Sequence, residues 1–214
     1  MAKFREVSAL VLICFHSLAA EKTQHAPSSP DAATELRVTV NVYNSVNLPL
    51  DELNRAEREA ERIFRYAGIQ LTWTDGLLGR GVNNDTRGET RNLPTLQLRI
   101  WPRAAAGNRP SGADTLGFCL SLENGDAVVL ADAIQKHAVL GAPSFADLLG
   151  LAMAHELGHL LLRSTAHSVT GMMRARWTEK GLRDDGRGYF RFTADEAKSM
   201  RQEVSGRMNL QSAP

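Results

Sequence analysis

His155, Glu156 and His159 are the only ionisable side chains in "LLGLAMAHELGHLLL", the run from Leu148 to Leu162 that is otherwise apolar all round. A helix with no polar face is normally buried, and ionisable groups inside it are costly unless something satisfies them. A metal cation satisfies all three together. Histidines at i and i+4 project from one face, close enough to share a tetrahedral zinc at about 2.0–2.1 Å per nitrogen. Glu156 lies about 100° further around the helix, so it is poorly placed as a ligand in the same shell and well placed to reach a water on the open side of the metal. Zinc lowers the pKa of such a water from about 15.7 to about 7, and a neighbouring carboxylate can then take its proton and pass it to a leaving amine. The spacing predicts His155 and His159 as zinc ligands and Glu156 as general base; the plain alternative is a leucine-rich helix that contains two core histidines.

A catalytic zinc takes three protein ligands and keeps one position for water. His167 is the expected third ligand, because "RST" breaks the apolar run after Leu162 and lets the chain turn back. Glu179 competes for that place, since a glutamate from a following helix fills it in thermolysin-like enzymes. Its surroundings, "RWTEKGLRDD", contain Gly181 and no apolar periodicity, which ranks it below His167.

These side chains need a scaffold, and the rest of the chain outlines one. "ELRVTVNVY" alternates Leu36, Val38, Val40 and Val42 against polar residues, a strand signal. Pro49 and Asp51 open a helix with Leu53, Ala56, Ala60, Ile63 and Phe64 on one side, stopped by Gly68. Its charges, in "DELNRAEREAERIFR", alternate in sign and read as a solvated face. "IQLTWT" and "LQLRIW" are further strands, separated by a long loop from Asp75 to Pro94. "TLGFCLSL" and "AVVLAD" form a hairpin turned at Asn124-Gly125. Ser144 with Asp147 resembles a capping box that opens the active-site helix, and Thr193 with Glu196 opens a last helix to about Val204. An antiparallel hairpin beside a strand–helix–strand unit implies an α/β (α+β) fold with a mixed sheet of about five strands.

The 214 residues, 43% hydrophobic, suit one domain with a real core. The net charge of +1 gives no electrostatic case for a nucleic-acid partner. Lys3 and Arg5 precede an apolar run from Val7 to Ala20, which reads as a secretory signal peptide over 1–20 and places the mature chain outside the cell or in the periplasm, with no stable membrane association after cleavage. An uncleaved anchor is the alternative. A flexible lead-in over 21–34, a catalytic domain over 35–206 and a tail over 207–214 complete the expected organisation. Cys14 falls in the signal, so the mature chain keeps Cys119 alone and has no internal disulfide. Cys119 reads as a small buried hydrophobe, with a thiolate ligand as the sharper alternative. Trp73, Trp101 and Trp177 read as core or rim aromatics.

"HELGHLLLRSTAH" followed by "GMM" resembles the metzincin metallopeptidases, whose pattern is His-Glu-x-x-His-x-x-Gly-x-x-His and then a methionine turn. The resemblance implies zinc on His155, His159 and His167, Glu156 as general base, and Met173 in the turn, with Met172 as the alternative. The order of elements is also similar, from first strand through edge hairpin and active-site helix to a C-terminal helix. Leu162 stands where the pattern has glycine, and His167 comes two residues later than its third histidine. "VYN", "RIFRYAGIQLTW", "HELGHLL" and "GMMRARW" together look like a group of uncharacterised bacterial secreted proteins. The resemblance further implies that "TLGFCLSL" is an edge strand able to bind an extended peptide, and Tyr189, after the turn, is a candidate donor to a tetrahedral intermediate or a packing residue on the last helix.

The reading is a secreted zinc-dependent endopeptidase acting on peptides or proteins. Its rivals are a noncatalytic zinc-binding protein with a cleft for a partner and a zinc hydrolase with a non-protein substrate.

Overall fold

The computed structural model describes residues 35–76, 80–81, 93–107, 112, 114–139, 143–178, 181–182 and 189–211. They belong to one compact unit, Thr34–Pro214. The expected signal segment and lead-in, most of the loop after Asp75, and Glu179 lie outside the described residues.

Among the described residues, six strands form one mixed sheet: β1 (Leu36–Asn44), β2 (Ile69–Asp75), β3 (Arg80–Gly81), β4 (Thr95–Trp101), β5 (Gly117–Ser121) and β6 (Asp126–Leu130), in the order β3-β2-β1-β4-β6-β5. β1 runs parallel to β2 and to β4, and β4 parallel to β6. β5 and the two-residue β3 are antiparallel to their neighbours, so each edge of the sheet reverses direction. The parallel β1–β2 pair follows from the crossover through the helix over Leu50–Tyr66, and the β5–β6 edge from the short turn at Gly125, whose φ of 63° suits glycine. β3 had no signal in the sequence: two residues are too few to show an alternation.

Among the described residues, four long helices accompany the sheet: α1 (Leu50–Tyr66), α2 (Ala131–Val139), α3 (Phe145–Leu162) and α4 (Ala194–Gln211). Val38, Val40 and Val42 of β1 and Leu96, Leu98 and Ile100 of β4 meet Ala56, Ala60, Ile63 and Phe64 of α1 and the length of α3 in one core. α3 is long and apolar enough to cross a membrane by composition, and here Ala146 and the residues from Leu148 to Leu161 are buried inside the fold. Ser144 caps it as its sequence implies, accepting a hydrogen bond from the Asp147 amide at 3.2 Å.

Three expectations need correction. "AVVLAD" does not stay extended to Asp132: the strand ends at Leu130 and α2 begins at Ala131, where Asp132 Oδ1 accepts from the backbone N of Arg103 at 2.8 Å and of Ala133 at 3.0 Å. α4 does not stop near Val204 but runs through Gln211, because Arg207 pairs with Glu203 at 2.8 Å one turn back and Met208 packs on the core. The charged face of α1 is not wholly solvated, since Glu57 within it is buried.

Candidate metal centre

α3 delivers His155, Glu156 and His159 from two successive turns, and all three are buried, at 8%, 5% and 4% exposure. The chain leaves the helix at Arg163, whose φ of 51° is left-handed, and doubles back so that the exposed His167 returns to the two histidines. One ligand atom from each of His155, His159 and His167 lies within 4.8 Å of the others. The ring of His167 stands 5.3 Å from that of His155 and 4.9 Å from that of His159, centroid to centroid. The reversal thus occurs one residue after Leu162, and the longer connection still reaches.

Backbone carbonyls fix the two helical imidazoles. Nδ1 of His155 lies 3.0 Å from the carbonyl oxygen of Met172, and Nδ1 of His159 lies 2.7 Å from that of Ser164. A carbonyl only accepts, so each Nδ1 carries the proton and donates it, which leaves each Nε2 with an unshared lone pair. Those two Nε2 atoms face one another at 3.1 Å. Neither can donate to the other, and two lone pairs at that distance repel unless a cation lies between them. Burial also pushes the His155 pKa down to about 4, with the His159 charge adding to the effect, and burial lowers His159 in the same direction. Both rings are therefore neutral at pH 7, the form that binds metal. The imidazoles of His155, His159 and His167, brought together in this way, fit a tetrahedral zinc with one position left for solvent.

The methionine segment supports this cluster from below. Ser168 N donates to Met173 O at 2.7 Å and Met172 N to Arg191 O at 2.8 Å. The bend at Gly171, with φ of 75°, turns the Met172 carbonyl to His155. Met173 is fully buried, and its Sδ would lie 2.7 Å from a Cβ placed on Gly158, so the helix passes over the methionine only because residue 158 has no side chain. Glu196 ties the same segment to α4: it accepts from Ser168 Oγ and, at 2.7 Å, from Thr193 N. The Thr193–Glu196 box was legible in the sequence, whereas its link to Ser168 and the carbonyl partners of the histidines had no local signal.

The Glu156 carboxylate lies against β5. A Cβ on Gly117 would lie 2.7 Å from Glu156 Oε1, and Cys119 Sγ lies 3.9 Å from Oε2. Burial pushes the Glu156 pKa up to about 8, with the Cys119 contact pulling weakly the other way. Cys119 is half-buried rather than fully so, and burial beside the Glu156 charge pushes its thiol up to about 12, which keeps it protonated. Trp177 sets its ring edge-on to His155 with centroids 5.7 Å apart and also meets Phe190. Tyr189 packs on Phe190 and against the core, and its hydroxyl engages Arg174 and Thr178.

No protein-family model matches this chain, and no curated protein matches it. Among solved structures it is similar to a zinc-dependent peptidase from Methanocorpusculum labreanum, over 80% of this chain and 98% of that one, with 14% identity and a TM-score of 0.41. At that identity and score the likeness carries no weight for the activity of this chain.

Proposed function

We propose that the chain is a zinc hydrolase whose ion is held by Nε2 of His155, His159 and His167. More particularly, it is read as a metzincin-like endopeptidase that hydrolyses peptide bonds, with Met173 in the methionine turn. The facing Nε2 lone pairs of His155 and His159, 3.1 Å apart, carry this reading. When bound, zinc supplies Lewis acidity, which acidifies water and polarises a peptide carbonyl.

Everything else is the work of the side chains. The Met172 and Ser164 carbonyls hold the two Nδ1 protons, which fixes the tautomer and aims the rings. Glu156, one residue from His155 and buried against β5, has a carboxylate that takes a proton from water at one oxygen and returns it to the departing amine nitrogen. Its raised pKa favours keeping that proton until the amine accepts it, while a dication nearby favours the charged form that starts the cycle. A purely structural site has no use for such a base, which argues against a noncatalytic zinc protein. The apolar run from Val7 to Ala20 supports export, with the enzyme acting outside the cell or in the periplasm on peptides or proteins.

Glu156→Gln tests the reading. The variant should keep one zinc per chain and lose peptide hydrolysis by at least about a hundredfold, the lower range for a general base. Undiminished hydrolysis in that variant, or no cleavage by the unaltered protein across a broad peptide library, overturns it.

A further inference from the structure

β5 ends the sheet on the side of the metal centre, and its backbone is arranged to take a further strand. Leu130 N donates to Leu116 O at 2.8 Å, and the register sets Gly117 opposite Val129, Phe118 opposite Val128 and Cys119 opposite Ala127. Opposed residues of an antiparallel pair alternate between exchanging both hydrogen bonds and exchanging none. Leu116 and Phe118 therefore direct N–H and C=O to β6, whereas Gly117 and Cys119 direct theirs to the outer edge. Among the described residues no strand pairs with that edge. The register slips between Cys119 and Ser121, a bulge that ends the regular ladder at Cys119. The edge can thus pair regularly with three peptide residues: two bonded to Gly117 and Cys119, and one between them opposite Phe118.

The two faces of β5 differ in chemistry. Gly117 and Cys119 lie against Glu156 of α3. Phe118, on the alternate face, packs on the second apolar cluster, of Ala106, Val128, Leu130 and Ala133. β5 is only half-buried along its length, while Val128 and Leu130 behind it are fully buried. Opposed residues of paired strands carry their side chains on the same face, so the middle residue of an added peptide lies beside Phe118. An apolar side chain there pairs with the ring, whereas a charged one loses water against an apolar face and gains no partner. We propose that Phe118 is a specificity-determining residue, which selects extended peptides with an apolar side chain at the position paired opposite it. This deepens the peptide-hydrolase reading, on which it rests, and places the selection on the face of β5 turned away from Glu156.

The test is titration of Nα-acetyl-Ala-Leu-Ala amide and Nα-acetyl-Ala-Glu-Ala amide into the full chain supplied with zinc, followed by NMR at assigned backbone amides. Saturable shifts are expected at Gly117 and Cys119, with a smaller one at Phe118, whose N–H is directed to β6. The leucine peptide should bind at least about threefold tighter, within the range of cross-strand pairs, and Phe118→Thr should abolish that preference. Equal affinity for the two peptides, no shift at Gly117 and Cys119, or a preference kept in Phe118→Thr overturns the proposal. A shift of those two amides with chain concentration alone also overturns it, since the edge would then pair with a second copy. Should Phe118→Thr fail to fold, the two peptides compared on the unaltered chain decide. The shifts do not require hydrolysis: binding by a chain that cuts no peptide contradicts the hydrolase reading alone, and cutting without shifts at β5 contradicts this proposal alone.

Discussion

Gly117 and Glu156 meet so closely across β5 and α3 that a single added methyl group would sit 2.7 Å from the Glu156 Oε1 atom, and equally close to the carbonyl oxygen of Val128. The carboxylate could rotate away, but the Val128 carbonyl belongs to the neighbouring strand and cannot. Position 117 therefore sets where the Glu156 carboxylate sits as well as how the edge strand lies.

Gly117→Ala should consequently lower peptide hydrolysis at least tenfold while zinc content stays at one per chain. Overpacking of this kind costs about 1–3 kcal/mol of stability. Metal analysis, steady-state kinetics and a thermal melt on the same preparation check the three parts together, and unchanged kinetics would show that β5 does not position Glu156.

Met173 fills the space beneath Gly158 by shape. Met173→Leu nearly conserves volume and should cost less than about 1.5 kcal/mol. Met173→Ala leaves a void under the metal helix and should cost about 2–5 kcal/mol. Denaturant unfolding of the two variants distinguishes packing from a special need for sulfur, which would make the leucine variant as damaging as the alanine one.

Glu196 caps α4 and holds Ser168, the residue after His167. Glu196→Ala should cost about 1 kcal/mol through the lost cap and weaken zinc binding about tenfold, the lower end for partners that orient ligands. Competition with a chelating dye reads the second effect, and zinc affinity unchanged in this variant would mean that His167 is held without α4.

Burial raises the Glu57 pKa from 4.5 to about 7, and this has a definite consequence for stability against pH. The folded chain binds more protons than the unfolded one between those values, so the Glu57 contribution is fully present below about pH 4.5 and is lost as the pH rises through about 7. Glu57→Gln removes the effect. The variant should gain stability relative to the parent between pH 5 and 8, by an amount of order 1 kcal/mol or somewhat more, and a difference that stays flat across this range would contradict the burial argument.

Much of this was readable from sequence because its periodicity was strong. The alternation of Val38, Val40 and Val42 marks β1, and the caps at Ser144 and Thr193 mark two helices within a residue or so of their observed starts. The apolar surroundings of His155 and His159 foretold their burial. What escaped was whatever depends on contacts distant in sequence. Glu57 has the local pattern of a solvated charge, and only the packing of α1 against β2 buries it. α2 follows β6 without a turn signal, so its first residues read as more strand. The carbonyls of Met172 and Ser164 are backbone groups that carry no residue identity, yet they determine which nitrogens of His155 and His159 face the centre.

The most direct test is a zinc-loaded crystal examined by anomalous scattering at the zinc edge. One ion per chain is expected, with Nε2 of His155, His159 and His167 each at about 2.0–2.1 Å and no fourth protein ligand. An ion bound elsewhere, a shell closed by a further side chain, or Glu179 in the place of His167 would contradict the assignment.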